Sequence, residues 1–268
     1  MSIEDEDDAR GMKRAGAVVA ETLRAMRAAV APGVTTGELD EVAGRVFRKH
    51  GAHSAPRVTY DFPGETCISV DEEIVHGIPS RRARLKRGSL VKLDVSLEVG
   101  GYFADAAVTV PVGPTGKTAT KLMKATRTAM QAGIAAAVAG RPVSAIGEAV
   151  QAEAARHGAK VFPELTGHGI GRSLHEEPTV SNVPTREGDR FTLTPGLVLT
   201  VEPMTSLSTS RFVDKGDGWT YVTRDRSLSA QWEHTLLVTE TGYEVMTLSA
   251  GSPPPPAFIT QASAAATV

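Results

Sequence analysis

The sequence has little of what secreted, membrane-spanning or nucleic-acid-binding proteins require. Cys67 is the only cysteine among 268 residues, so a disulfide within the chain is excluded and we expect a reducing compartment, the cytoplasm. The 29 basic and 31 acidic residues leave a net charge of -2, which gives no overall field that attracts nucleic acid or an anionic membrane. The acidic start MSIEDEDDAR is unlike a secretory signal, and no run is long and apolar enough to span a bilayer. We therefore expect neither nucleic acid nor a membrane as a partner.

The chain shows the order helix, helix, strands twice. Apolar residues recur at helical spacing near the start, and Thr35 and Glu38 have the spacing of a capping box ahead of a second helix that ends at Gly51. The echo of HGIP at 76–79 by HGIG at 168–171 favours an internal duplication, although such short glycine-containing matches also arise by chance. The predicted helices cover about 7–30, 35–50, 118–139 and 143–157, and the predicted strands lie within 66–70, 89–110 and 161–248.

The two ends of the chain differ in composition from its centre. The first seven residues are acidic, and the tail contains four consecutive prolines followed by alanine, serine and threonine. Neither end can bury enough apolar surface to fold by itself. We therefore predict one domain over 8–250, between a disordered leader at 1–7 and a disordered tail at 251–268.

Two aspartates lie on either side of a predicted hairpin turn at Gly100 and Gly101. If the turn is centred between Val99 and Gly100, Asp94 and Asp105 are directly opposite each other on one sheet face, with Cβ atoms about 4.5–5.5 Å apart. Two carboxylates at that distance require a cation. The alternative is a polar strand face in solvent, which is the commoner arrangement for an isolated pair of aspartates.

Three further residues favour the cation: His168 in TGHGIG, Glu202 in LTVEPM and Glu233 in SAQWEHTLLV. Both glutamates interrupt apolar, strand-like sequence, where an unpaired carboxylate carries a large desolvation cost that metal coordination removes. A salt bridge or a strand-edge position is the alternative for either glutamate alone. Four carboxylates and one imidazole form an oxygen-rich set that suits two divalent first-row ions.

Two histidines are candidates for a role beside such ions. His76 and His175 lie in segments whose glycine and proline residues indicate exposed turns, and an imidazole there could donate to a reacting carbonyl. A solvated side chain is the commoner role of a histidine in a loop. His234 is not a candidate, because it directly follows Glu233 and neighbouring residues of a strand face opposite sides.

Taken together, the motifs of the chain resemble those of type I methionine aminopeptidase, a pita-bread metallopeptidase family. The likeness is collinear and extends from about residue 8 to 248. It implies a fold of two pseudo-symmetric α+β halves with a central antiparallel sheet covered by helices. It also implies hydrolysis of the amino-terminal methionine from chains with a small second residue, by water that two divalent ions (Co, Mn, Fe or Zn) activate. The segments that carry the likeness are CISVDEEIVHGIP, KLDVSLEVGGYFADAAVTVPVG, TGHGIGRSLHEEP, LTVEPM and RSLSAQWEHTLLV.

The resemblance also implies a role for each motif residue. His76 and His175 are expected near the scissile nitrogen and the carbonyl oxygen, and both are expected to contact substrate. Glu202 is expected to accept the proton of the attacking water as well as to bind metal. The implied metal ligands are Asp94, Asp105, His168, Glu202 and Glu233.

The methionine pocket and three departures from the family pattern are expected to set the substrate preference. Aromatic rings and a thiol suit a flexible thioether. The implied pocket residues are Tyr60, Phe62, Cys67 and Trp219, and the spacing around Tyr60 is shorter than the family's. The departures, expected to change pocket shape or charge, are Asp71 for the usual Asn, Leu174 for an aromatic residue and Trp232 for Tyr.

The implied partners are the amino termini of nascent polypeptides, at the ribosome, and the implied state is a monomer. Two alternatives stay open. One is a proline-specific peptidase of the same fold, such as Xaa-Pro aminopeptidase or prolidase, although those enzymes usually carry a further amino-terminal domain. The other is a non-catalytic pita-bread protein that uses the cleft to bind a partner.

Overall fold

The computed structural model describes residues 3–248, so the predicted disorder of 251–268 lies outside the described residues. Within the described part of the chain, no helix is both long and apolar enough to cross a bilayer. The described helices are α1 (Glu6–Ala29), α2 (Thr36–His50), α3 (Ala55–Tyr60), α4 (Lys117–Ala136) and α5 (Ser144–Arg156). Four of them match the helices that the sequence predicts, and α3 is a short addition.

The strands form small antiparallel sheets, of which two position the site. In the first, β4 pairs with β5 on one side and with β2 and β1 on the other; in the second, the order is β15-β14-β9-β7-β8. The strands are β1 (His53–Ser54), β2 (Cys67–Val70), β3 (Glu73–Val75), β4 (Leu90–Val99), β5 (Tyr102–Pro111), β6 (Lys160–Val161), β7 (Gly167–Gly169), β8 (Glu176–Val180), β9 (Val198–Val201), β10 (Met204–Ser206), β11 (Phe212–Asp214), β12 (Tyr221–Thr223), β13 (Ser229–Gln231), β14 (His234–Thr239) and β15 (Gly242–Val245).

Each repeat of the helix–helix–strand order builds one half of the molecule around its own core. In the first half, α1 and α2 pack on the β4–β5 hairpin, and the core includes fully buried Leu39 and Leu93. In the second half, α4 and α5 pack together against the five-stranded sheet, and the core includes fully buried Val150 and Leu199. The halves meet where β5 lies beside β14.

The ends of α2 lie where the sequence predicts them. The Thr35 side chain accepts from the Glu38 backbone N–H, and the Glu38 carboxylate accepts from the Thr35 backbone N–H, so the capping box is complete. Gly51 ends the helix with φ 63°, in the left-handed region that glycine adopts without steric cost. Local capping chemistry therefore fixes this helix independently of its packing.

The β4–β5 register corrects the predicted opposition of the two aspartates. Asp94 is paired with Ala107, and Asp105 is paired with Ser96, because the turn is centred between Gly100 and Gly101, one residue later than predicted. The pair is therefore diagonal instead of directly opposite. A shift of two residues keeps both side chains on one sheet face, since strand side chains alternate with a period of two.

The acidic leader is more ordered than the sequence suggests, from residue 3 onward. The Ile3 backbone N–H donates to the Gly196 carbonyl at 2.7 Å, and the Ile3 side chain packs against the first core. Asp5 caps α1 by accepting from the Asp8 N–H at 2.9 Å. The prediction of disorder over 1–7 is therefore wrong for residues 3–7, where acidic side chains serve a helix amino terminus.

Candidate metal centre

One cleft of about 890 Å³ lies between the halves, and its size is in the range of small-molecule sites. Asp94 and Asp105 enter it from the β4–β5 hairpin, and His168 enters from β7. Glu202 follows the last residue of β9, and Glu233 lies between β13 and β14. All five predicted ligands therefore line the same cleft, although they come from different strands of both halves.

Three of these side chains converge closely enough to share one cation. Asp105, His168 and Glu233 each offer a ligand atom, and those atoms all lie within 4.8 Å of one another. Glu202 joins the group through its Oε1, which is 3.4 Å from His168 Nε2. Asp94 lies outside this group of three, and its Oδ2 accepts a hydrogen bond from Gln231 Nε2 at 3.3 Å.

Burial makes the negative charge of this cluster costly. It raises the pKa of Asp105 to about 6 and raises the pKa values of Asp94, Glu202 and Glu233 well above their ordinary range. The Asp105 charge is the next cause of the raised pKa for the other three carboxyls. Four buried acids that repel one another require compensating positive charge in order to be ionised together at neutral pH.

The unsatisfied oxygens of the cluster indicate where that positive charge belongs. Among the residues that the structure describes, neither Asp105 Oδ1 nor Glu233 Oε1 has a hydrogen-bond partner, and both atoms are buried. Buried polar atoms of native proteins are almost always paired, so each such exception requires an explanation. Carboxylate oxygens beside one imidazole are the donors that divalent first-row ions accept, so the residues present fit a divalent cation.

His168 is held in the tautomer that a ligand needs. Its Nδ1 lies 2.8 Å from the Gly169 carbonyl oxygen, which can only accept, so Nδ1 carries the proton. Nε2 is then unprotonated and faces Glu202. Burial lowers the pKa of His168 to about 3, which keeps the ring neutral over the physiological range.

Three side chains that support the cluster are not among the site residues predicted from the sequence. Ser96 Oγ donates to Asp105 Oδ2 at 2.7 Å, and Gln231 donates to Asp94. Thr200 Oγ1 donates to Glu202 Oε1 at 2.8 Å and accepts from the His168 backbone N–H at 3.1 Å. Each lies two residues from a predicted ligand, at 94, 202 or 233, and hence on the same strand side, a spacing that the sequence alone could have revealed.

The two outer histidines lie at the mouth of the cleft, and both rings are exposed to it. The His175 ring is 4.2 Å from the His168 ring, and its Nδ1 is 2.6 Å from the Tyr60 hydroxyl. The His76 ring lies 5.9 Å from the Tyr221 ring. Burial of their inner sides lowers the pKa of both, which favours neutral imidazoles.

An apolar recess adjoins the carboxylate cluster. Phe62 and Cys67 are buried in it, and the Phe62 and Trp219 rings meet edge to face at 5.0 Å. Leu174 also lines the cleft, whereas Asp71 and Trp232 are not among its lining residues. Of the three departures, Leu174 therefore borders the cleft directly, and the expected effect of Asp71 and Trp232 on the pocket stays a prediction.

Comparison with known proteins gives consistent matches. The model of metallopeptidase family M24 matches residues 10–240. The chain is 40% identical over 240 residues to methionine aminopeptidase 2 of Bacillus subtilis, covering 90% of this chain and 96% of that protein. It is 43% identical over 218 residues to the methionine aminopeptidase of Treponema pallidum, covering 81% and 85%.

The solved structures that resemble this chain include methionine aminopeptidases as well. The methionine aminopeptidase structure from Rickettsia prowazekii superposes with a TM-score of 0.88 at 38% identity, covering 92% of this chain and all of that one. A prolidase from Pyrococcus furiosus superposes with a TM-score of 0.74 at 20% identity over 65% of its length, which shows a shared fold alone. These superpositions confirm the pita-bread fold that the resemblance implied. The chain belongs to metallopeptidase family M24.

Proposed function

We propose that this protein is a metal-dependent aminopeptidase that removes the amino-terminal methionine from newly made proteins and peptides. The observation that carries the proposal is the convergence of Asp105, His168 and Glu233 at a cleft floor where two buried carboxylate oxygens have no partner among the described residues. The similarity to methionine aminopeptidases over about nine tenths of the chain supports the substrate.

We further propose two divalent ions per chain, with Co, Mn, Fe and Zn as the candidates. When bound, divalent ions supply Lewis-acid polarisation of the scissile carbonyl and activation of water. The single-cation grouping of three side chains supports one position, and the flanking Glu202 and Asp94 support a second. The proposed ligands are Asp94, Asp105, His168, Glu202 and Glu233.

The chain's own residues then handle protons and orientation. Glu202, which Thr200 Oγ1 orients and which lies 3.4 Å from His168 Nε2, accepts the proton of the attacking water. If the Tyr60 hydroxyl donates to His175 Nδ1, the Nε2 of His175 carries a proton and can donate to the developing oxyanion. His76, which also lines the cleft, holds the departing amide nitrogen.

The methionine side chain enters the apolar recess. Phe62, Cys67 and Trp219 form its lining beside the cluster, and a flexible thioether makes favourable contacts with aromatic edges. Tyr60 is 47% exposed at the rim, so it borders the recess and also contacts His175. The His175 ring lies 4.2 Å from the His168 ring and so narrows the cleft beside the cluster, which favours a small second residue.

We propose nascent chains at the ribosome as the source of substrate, a monomeric enzyme and a cytoplasmic location. The single, buried cysteine supports a reducing compartment. Within residues 3–248 the metal-ligand candidates all come from one chain, so a monomer supplies a complete set.

The proposal is tested by methionine release from Met-Ala-Ser and Met-Lys-Ser with Mn, Fe, Co or Zn added to metal-stripped protein. We expect release from Met-Ala-Ser, much slower release from Met-Lys-Ser, and none with Asp105→Ala. The matched control is Asp189→Ala, at an exposed position outside the cleft, which should retain activity. Equal turnover of the two peptides contradicts the small-residue preference, preferential cleavage of Xaa-Pro peptides supports the proline-specific alternative, and no release with any metal supports a non-catalytic protein.

A further inference from the structure

Among the residues that the structure describes, one of the largest fully buried side chains is a lysine. Lys92, on β4, is 1% exposed, and its ammonium donates to the Asp71 carbonyl oxygen at 2.8 Å, to Ser229 Oγ at 3.2 Å and to the Ser229 carbonyl oxygen at 3.4 Å. None of its hydrogen-bond partners in the described part of the chain is a carboxylate. A buried ammonium without an ion-pair partner costs several kcal/mol or more, so its persistence requires an explanation.

The oxygens around this ammonium belong to two segments that end in the proposed site. Asp71 is in the turn ahead of β3, and β3 leads directly to His76. Ser229 begins β13, which leads to Gln231 and then to Glu233. Lys92 itself lies two residues before Asp94 on the same strand side. The ammonium therefore connects three segments that lead to the cleft: the turn before β3, β13 and β4.

The Asp71 carbonyl oxygen and the two oxygens of Ser229 form a cage of oxygens around the ammonium, which we call the carbonyl cage. Further hydrogen bonds connect its members. The Ser229 backbone N–H donates to the Asp71 carbonyl at 3.0 Å, and Ser229 Oγ lies 3.0 Å from the Glu73 carbonyl oxygen. The Asp71 carboxylate turns away to accept from the Leu90 N–H at 2.8 Å and from Ser89 Oγ at 2.9 Å. Several carbonyl dipoles therefore point into one small volume, and they would repel one another without the ammonium.

We infer that Lys92 is a positioning residue, whose ammonium fixes the start of β13 against the 71–73 turn and thereby places Gln231, Glu233 and His76 around the metal centre. The inference rests on the proposed function. Asp71, which departs from the family pattern without lining the cleft, acquires a role here as a member of the cage. Thr109 fastens the far end of β13 by accepting from the Gln231 N–H at 2.9 Å, and Lys92 acts on the other end, where Ser229 also contacts this turn and pairs with β10.

Lys92→Met tests the inference, because methionine keeps the length of the buried stem and removes the charge. Manganese affinity is measured by calorimetry on metal-stripped protein, and kcat and KM are measured with Met-Ala-Ser. We expect Mn²⁺ affinity to fall about tenfold or more, as for other residues that orient metal ligands. We also expect kcat to fall by a similar factor while KM changes little, since Lys92 does not touch the methionine recess.

Leu39→Ala is the matched control, because it should destabilise the fold without displacing the proposed metal ligands. Leu39 is fully buried in the first core, on α2, and does not line the cleft. Its variant should unfold at a lower temperature and keep wild-type Mn²⁺ affinity. If Lys92→Met also lowers the unfolding temperature but binds Mn²⁺ as wild type does, the role of Lys92 is structural and the inference fails.

Ser229→Ala provides a second route that does not depend on the folding of Lys92→Met. It removes one oxygen of the cage, and we expect Mn²⁺ affinity to fall about threefold, less than in Lys92→Met, because the ammonium keeps its two carbonyl partners. In the Lys92→Met background the same change should cost less than in the wild type, because the contact with the ammonium is gone and only the contact of Ser229 Oγ with the turn carbonyls remains. Unchanged affinity in Ser229→Ala, or an equal loss in both backgrounds, overturns the inference. Failure of the wild-type protein to bind Mn²⁺ refutes the proposed function instead.

Discussion

Replacing Asp105 by asparagine should stabilise the metal-free protein at neutral pH, although the change removes a proposed ligand. Asp105 is 6% exposed and faces the other acids of the cluster. An asparagine oxygen can still accept from Ser96 Oγ, which is 2.7 Å from Asp105 Oδ2. Its amide nitrogen would occupy the place of Oδ1, a buried oxygen with no partner among the described residues, and could donate to Asp94. The substitution therefore removes a buried charge while keeping the existing hydrogen bond.

The size of the effect follows from the pKa of Asp105, which burial raises from 3.8 to about 6. A shift of about two units, at 1.36 kcal/mol per unit, corresponds to about 3 kcal/mol. Because the folded-state pKa is above the unfolded value, the stabilising contribution of the protonated group is complete below pH 3.8 and is lost as the pH rises through about 6. Asparagine stays neutral, so its advantage should grow from about 1 kcal/mol near pH 4.5 to about 3 kcal/mol at pH 7.5.

Urea unfolding of EDTA-treated protein at both pH values measures this advantage. Glu240→Gln removes one exposed charge and should change the free energy of unfolding by less than about 0.5 kcal/mol at either pH. Added Mn²⁺ should reverse the order, because the wild type gains binding free energy that the variant has lost. A variant that is less stable than the wild type at pH 7.5, or whose advantage does not grow with pH, would refute the view that this cluster is charged and uncompensated without metal.

Three other substitutions test separate parts of the structure. Tyr60→Phe should lower kcat for Met-Ala-Ser about three- to tenfold through the lost hydrogen bond to His175, and unchanged kinetics would remove Tyr60 from the proposed mechanism. Glu38→Ala should lower the free energy of unfolding by about 1 kcal/mol by opening the capping box, with kcat unchanged, and an effect on kcat would contradict a purely local role. Gly147→Ala should cost about 1–3 kcal/mol, measured by thermal unfolding, since its Cβ would lie 2.5 Å from the Val183 carbonyl oxygen; an unchanged melting temperature would argue against that close approach.

Local chemistry explains why the helices and the site segments could be predicted from the sequence. The Thr35–Glu38 box and Gly51 are short-range signals, and each acts within a few residues of itself. The glutamates were conspicuous because they interrupt apolar strands, and both lie at strand junctions in the structure. The predicted hairpin register is wrong by two positions because the predicted turn is centred one residue early. Two consecutive glycines with positive φ are typical central residues of a two-residue turn, so that rule would have given the correct pairing.

Longer-range features could not be predicted in this way. The alternation along β4 indicated a polar face with Lys92, Asp94 and Ser96, which in most antiparallel sheets faces solvent. In this fold the second half of the molecule covers that face, so Lys92 and Ser96 are buried. A polar stripe on a strand can therefore face solvent or be covered, and the covering surface decides between the two; for Lys92 that surface includes Ser229, 137 residues further along the chain.

The position of the carboxylate cluster at the junction of the halves links folding to metal chemistry. The Asp105 N–H donates to Thr235 Oγ1 at 3.0 Å, and the Glu233 N–H donates to the Ala107 carbonyl at 2.9 Å, so the backbones of two proposed ligands also carry hydrogen bonds across the junction. The side chains of the same two residues repel each other when both are ionised. The first half supplies two of the five acidic or imidazole groups and the second half supplies three, so neither half alone presents the set. Docking of the halves therefore creates the cation site and its electrostatic cost in the same step, and a bound cation would offset that cost only in the docked arrangement.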